Sequence, residues 1–88
     1  MEELLTNATT NGDGPDVEVG NYNPTLRIWG TWDGAYVMIY DITNSSRVPI
    51  AHAFTEDKEQ PTYAPQGAIL RAVVSNAGGS TDLNATID

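Results

Sequence analysis

Between Leu26 and Tyr40 the chain reads LRIWGTWDGAYVMIY, with apolar residues alternating on either side of Asp33-Gly34. Successive strand side chains point to opposite faces, so this alternation predicts two strands that each bury one row and present the other. Leu26, Ile28 and Trp32 share a parity with Gly30 on the first arm, and Ala35, Val37 and Ile39 share one on the second. An Asp-Gly pair between two such runs predicts a tight hairpin turn, because a type I′ turn needs positive φ at both central residues. A second unit of the same kind closes the chain. There Leu70, Ala72 and Val74 alternate, Ala77-Gly78-Gly79-Ser80 turns, and Leu83, Ala85 and Ile87 alternate again.

Shorter signals fill the rest. Residues 1–15, MEELLTNATTNGDGP, carry Leu4 and Leu5 as large apolar groups in an otherwise polar stretch, and are expected to form an extended N-terminal arm. The arm's two leucines are expected to dock on a neighbouring subunit, the alternative being a frayed terminus. Residues 16–88 are expected to form the folded domain. Asp16–Gly20 alternates briefly and reads as a strand, and Asn21-Tyr22-Asn23-Pro24 as a turn. Thr43-Asn44-Ser45-Ser46 reads as a polar turn before a strand over Arg47–Phe54, where Pro49 demands an edge or a bulge. Thr55–Pro65 reads as an exposed loop with a short strand near Thr62-Tyr63. About seven short strands at this spacing, with no helix of any length, predict a small antiparallel β-sandwich of jelly-roll type.

Composition narrows the function classes. The chain has 88 residues and no cysteine, so disulfides are absent, and a lone His52 leaves zinc without a ligand set. A domain of this size buries a modest share of its surface, so oligomerisation or docking on a larger body is the expected supplement. Twelve acidic residues stand against four basic ones, Arg27, Arg47, Lys58 and Arg71, for a net charge of −8. That field repels phosphate backbones and anionic lipid, so neither nucleic acid nor membrane is expected as a partner. No basic segment leads into an apolar one at the N-terminus, and Met1 is expected to start a mature, soluble chain made in a cytoplasm.

Candidate chemistry is sparse. His52 lies between Ala51 and Ala53 in the parity of Ile50 and Phe54, which suits a half-buried or interface histidine better than a base. Asn11-Gly12-Asp13-Gly14-Pro15-Asp16 offers oxygen ligands but lacks the alternating carboxylates and distal Glu of a calcium loop. Glu56-Asp57-Lys58-Glu59 is a continuous charged run, as a solvated loop has, with no sign of the fixed separation that paired catalytic carboxylates need. No catalytic residue, metal site or cofactor is expected. The aromatic residues Trp29, Trp32, Tyr22, Tyr36, Tyr40 and Tyr63 are more informative. Tyr36, Met38 and Tyr40 fall on the face opposite Ala35, Val37 and Ile39, with Trp29 expected to extend the stripe. Aromatic residues and Met on an outer face are enriched where proteins pack together. A second core layer and a sugar-stacking platform are the other readings of the same stripe.

In order along the chain, LLTNATTNGDGPDVEV, LRIWGTWDGAYVMIY and GAILRAVVSNAGGSTDL resemble a group of small tailed-bacteriophage virion proteins. Members share an N-terminal "LL-x-x-A-T-x-x-G-x-G" segment, a "G-T-F-x-G-A-T-V-x-L" hairpin and a closing "L-R-A-x-V-S-x-A-x-G-x-T-S-L". Where they often carry an "S-P-D-G-x-x-W" loop, this chain has Tyr40-Asp41-Ile42-Thr43-Asn44-Ser45-Ser46-Arg47. The resemblance spans residues 4–87 and implies a non-enzymatic particle component on the capsid exterior or on tail structures. Its leading form is a capsid decoration (cement) protein. Such a protein would have the major capsid protein and other copies of itself, as dimer or trimer, for partners, through Leu4, Leu5, Trp29, Tyr36, Met38 and Tyr40. A tail or head-fibre component and a carbohydrate-binding module acting through Trp29 and Trp32 are the alternatives.

Overall fold

The computed structural model describes residues 2–20, 24–62 and 64–88. Tyr22 and Tyr63 lie outside the described residues. Among those described there are nine strands: β1 (Glu2–Ala8), β2 (Gly12–Asp13), β3 (Val17–Glu18), β4 (Thr25–Thr31), β5 (Tyr36–Asp41), β6 (Val48–Pro49), β7 (Lys58–Pro61), β8 (Ile69–Ser75) and β9 (Asp82–Ile87). The only helical element among them is a single 3-10 turn, Thr43–Ser45.

These strands form two antiparallel sheets. The first has the order β1-β9-β4-β7; the second has β8 at its centre, with β2 and β3 on one side and β5 then β6 on the other. Taken as one strand interrupted at Gly14-Pro15, β2 and β3 complete an eight-strand jelly roll in which most connections pass from one sheet to the other. The inner rows are those the alternation predicts. Leu26 and Ile28 of β4 and Leu83, Ala85 and Ile87 of β9 meet Val37 and Ile39 of β5 and Leu70, Ala72 and Val74 of β8, all at 2 % exposure or less. Each large aliphatic side chain so buried contributes about 1.5–3 kcal/mol.

Three local expectations are corrected. The first concerns the two expected hairpins. The turn at Asp33-Gly34 forms, with both residues at positive φ (45° and 84°) and the Ala35 amide donating to the Trp32 carbonyl at 2.9 Å. Its flanking strands nevertheless do not pair with each other: β4 pairs with β7 and β9, and β5 with β6 and β8. The turn between β8 and β9 likewise passes from sheet to sheet. An arch of this kind sends the same side chains inward as a hairpin does, so the alternation is blind to the difference.

The second concerns residues 1–15. In place of an arm, residues 2–8 are the edge strand of the first sheet, paired with β9, and Leu4 and Leu5 are buried at 0 % and 5 % exposure in the chain's own core. Two adjacent residues cannot both face inward from a regular strand; a register shift between Glu3 and Leu5 turns both leucines toward the core. Gly14 passes so close that a Cβ there would lie 2.6 Å from the Leu4 carbonyl oxygen.

The third concerns Arg47–Phe54 and Thr55–Pro65. β6 covers two residues, and pairing resumes only at an isolated bridge between Phe54 and Val37. The register between Tyr40↔Pro49 and Val37↔Phe54 leaves Ala51-His52-Ala53 bulged outward, as a proline-bearing edge allows. The expected loop contains β7, paired with β4 from Thr25↔Pro61 to Ile28↔Lys58. Lys58 and Glu59, the second half of its charged run, are part of that edge strand, and Glu56-Asp57 precede it.

Candidate interaction surface

The stripe Tyr36-Met38-Tyr40 lies on the outer face of the second sheet. β5 pairs with β8 in the register Tyr36↔Ser75, Met38↔Val73 and Tyr40↔Arg71. Residues directly opposite on neighbouring strands share a face. Val73 therefore packs beside Met38, Ile69 lies two same-face steps further along β8, beyond Arg71, and Glu18 of β3 stands opposite Ile69. Tyr36 is 40 % and Ile69 36 % exposed, while Met38 and Tyr40 are half-buried. The inner face of this sheet is already filled by Val37, Ile39, Leu70, Ala72 and Val74. The stripe is thus not a second core layer.

Next to the apolar patch lies a fixed set of charges. The Arg47 guanidinium stacks over the Tyr40 ring, 5.0 Å from its centroid, and its Nη2 reaches Asp13 Oδ2 at 3.3 Å. Arg71 Nη1 meets the same oxygen at 3.2 Å, and Arg71 Nε donates to Asp16 Oδ1 at 2.8 Å. The hydrogen bond to Asp16 raises the Arg71 pKa above its ordinary value, with desolvation opposing it and the charges of Asp16 and Asp13 adding to it. Exposed ion pairs stabilise little by themselves. What this network does is hold two long cationic side chains flat beside the apolar patch, so that little rotamer entropy is lost when a partner covers them.

Other candidates are placed elsewhere. Trp29 is 43 % exposed on the outer face of the first sheet, opposite Asn84 of β9, and so lies on the far side of the sandwich from the stripe it was expected to extend. Trp32 packs partly against the core and donates its indole N–H to Asp57 Oδ1 at 2.9 Å; the same oxygen accepts the Gly30 amide at 3.1 Å. The two tryptophans therefore make no shared flat platform. His52 is exposed on the bulge, beside an open crevice of about 330 Å³ that also touches Phe54, Glu56 and Lys58. Glu59 pairs with Arg27 at 3.1 Å. In the Asn11–Asp16 segment the oxygens already have partners: Asn11 Oδ1 accepts the Ala77 amide at 2.7 Å, while Asp13 and Asp16 face the arginines.

Sequence reasoning missed Ile69, Arg71, Val73 and Arg47 as members of this surface. Ile69, Arg71 and Val73 share the outward parity of β8, which was legible, but the place of Val73 beside Met38 and of Arg71 beside Tyr40 depends on β5 pairing with β8. Nothing local encodes that pairing. Comparison with protein families, with characterised proteins and with solved structures finds no match for this chain.

Proposed function

We propose that the protein is a non-enzymatic capsid decoration (cement) protein that binds the outer surface of a tailed-phage head through the outer face of its second sheet. The observation that carries this reading is the asymmetry of the sandwich. One outer face joins Tyr36, Met38, Tyr40, Val73 and Ile69 to two ion-paired arginines, Arg47 and Arg71, and Tyr and Arg are among the residues that dominate protein–protein contacts. The sequence resemblance to small phage virion proteins supports the same reading. The mechanism is linkage: a protein that binds only the assembled lattice stabilises it by its binding free energy at every occupied site. A strongly acidic exterior also keeps the protein from non-specific attachment to DNA.

The test is to mix purified protein with mature, DNA-filled heads of a phage whose genome encodes it, and with empty shells, and to pellet both. Saturable binding in hundreds of copies, with a higher temperature for DNA release, is the expected result. Binding in a handful of copies would move the protein to a tail or head fibre, and no binding would overturn the proposal. The carbohydrate reading is less well supported, because the Trp32 ring is held against the core by its bond to Asp57 and is not displayed beside Trp29.

A further inference from the structure

We propose that the crevice beside His52 is a separate binding site, which takes the C-terminal end of a partner polypeptide that finishes in an apolar residue. The site lies apart from the outer face of the second sheet, and the inference does not depend on the decoration role. Three observations carry it.

The first is a row of donors that the fold leaves without acceptors. Ile50 and Phe54 donate their amides to Ile39 and Val37 of β5, at 3.0 and 2.8 Å. Between them the bulge takes Ala51, His52 and Ala53 out of the ladder, and among the described residues none of these three amides has an acceptor. All three residues line the crevice. A carboxylate that accepts from backbone amides makes charge-assisted bonds, and clustered amides are a recurrent way of holding a chain end.

The second is charge. Lys58 lines the same crevice from β7. Its pairing with Ile28 gives it the inward parity of that strand, so its side chain leaves β7 on the side of the crevice. Arg27, Arg47 and Arg71 each meet a carboxylate, whereas Lys58 has no ion-pair partner among the described residues. In a chain of twelve acidic and four basic residues, it is the one side-chain cation left for a ligand.

The third is the apolar wall. Phe54 is 7 % exposed and lines the crevice together with Ala51 and Ala53. The volume of about 330 Å³ is at the small end of the range of about 300–1,000 Å³ for ligand pockets, which suits one terminal residue better than a long segment. In a chain end the carboxylate and the apolar side chain leave the same Cα, which an internal Asp or Glu does not offer. Glu56 also lines the crevice, and the whole chain carries a net charge of −8. Ligands with further acidic residues are therefore disfavoured, and the site selects a single negative charge.

The experiment is a heteronuclear NMR titration of the full chain with four ligands. They are acetyl-GSGSGL as the free acid, the same peptide as its C-terminal amide, acetyl-GSGSGS as the free acid, and hexanoate. The leucine acid should give saturable amide shifts at Ala51, His52, Ala53 and Lys58, with a Kd of about 1 mM or below. Amidation and the serine ending should each weaken binding by about tenfold or more. Lys58→Met should weaken the leucine acid by a similar factor and leave the amide unchanged, and Glu56→Gln should tighten the acid. The amide spectrum itself shows that each variant is folded. No saturable shift up to about 10 mM leucine acid overturns the inference, as does equal binding of acid and amide, or indifference to Lys58→Met. Hexanoate that binds as tightly as the peptide would overturn the assignment to a polypeptide end.

Discussion

The Asp33 carboxylate, in the turn from β4 to β5, accepts the backbone amide of Ser80, in the turn from β8 to β9, at 2.8 Å. The bond joins the two arches that carry the chain from sheet to sheet. Two more bonds run alongside it: Asn76 Nδ2 donates to the Gly34 carbonyl and Thr81 Oγ1 to the Trp32 carbonyl, each at 2.9 Å. An arch gives up the ladder bonds a hairpin would make, and each arch here recovers bonds from the other. Asp33→Ala should therefore destabilise the protein by about 2 kcal/mol, the usual scale for losing a hydrogen bond to a charged group, whereas Asp33→Asn keeps both an acceptor and a tolerance of positive φ and should cost less than half as much. Urea unfolding of the two variants checks this.

Gly30 sits opposite Leu83 where β4 pairs with β9. Its φ is 139°, and a Cβ there would collide with the Asp82 carbonyl. Both the backbone conformation and the space exclude a side chain, so Gly30→Ala should cost about 3 kcal/mol by thermal or urea unfolding. Gly20 is the control: a Cβ there meets nothing within 4 Å among the described residues, and Gly20→Ala should be close to neutral.

Where sequence and structure part company, the cause is physical. Leu26, Ile28, Val37, Ile39, Leu70, Ala72, Val74, Leu83, Ala85 and Ile87 were legible as inward rows because strand alternation is local. Their sheet membership was not, since an arch and a hairpin over Asp33-Gly34 bury the same residues. β1 was hidden for the opposite reason. The adjacent pair Leu4-Leu5 breaks alternation, and only a register shift against β9 reconciles it with a strand. The outward stripe Tyr36-Met38-Tyr40 was readable from parity alone, but Arg47 enters it from beyond a turn and Arg71 from a strand about 30 residues away in sequence. Trp29 was misjoined to the stripe because parity within β4 says nothing about which of two outer faces it occupies.

The incorporation of β1 into the core has a direct consequence for stability. Leu4 is fully buried, so Leu4→Ala should remove about 3 kcal/mol or more through lost burial and the cavity left behind. A free arm would give no change. Trp29→Ala, on the exposed outer face of the first sheet, should stay within about 0.5 kcal/mol. Chemical unfolding of both variants side by side is the measurement.

Asp57 offers an optical test. One of its oxygens accepts both the Gly30 amide and the Trp32 indole N–H, so it ties the charged run before β7 to the end of β4. Asp57→Ala should lower stability by about 2 kcal/mol and shift tryptophan emission to the red as the Trp32 ring loosens from the core. Asp57→Asn retains an acceptor oxygen and should largely restore both readouts. If Ala and Asn behave alike, the carboxylate does not hold Trp32.

The edges of the open seam between β6 and β7 are blunted by the same device. The Ile50 amide donates inward to Ile39 at 3.0 Å, and the Thr62 amide donates inward to Pro24 at 2.9 Å. Amide direction alternates along an antiparallel strand, so residues 49 and 61 would present their N–H groups to solvent, and both are proline. Neither proline costs a ladder bond, and each removes a donor that an incoming strand would need. Replacing both with valine should leave the melting temperature within a few degrees, because no native bond changes. It should also produce concentration-dependent light scattering and fibre-like β signal on prolonged incubation, because two edges regain their donors. Pro61→Lys restores the donor but adds charge to a short edge, and should remain monodisperse. Scattering from the valine variant with none from the lysine variant would locate the protection in the edge itself rather than in the stability of the fold.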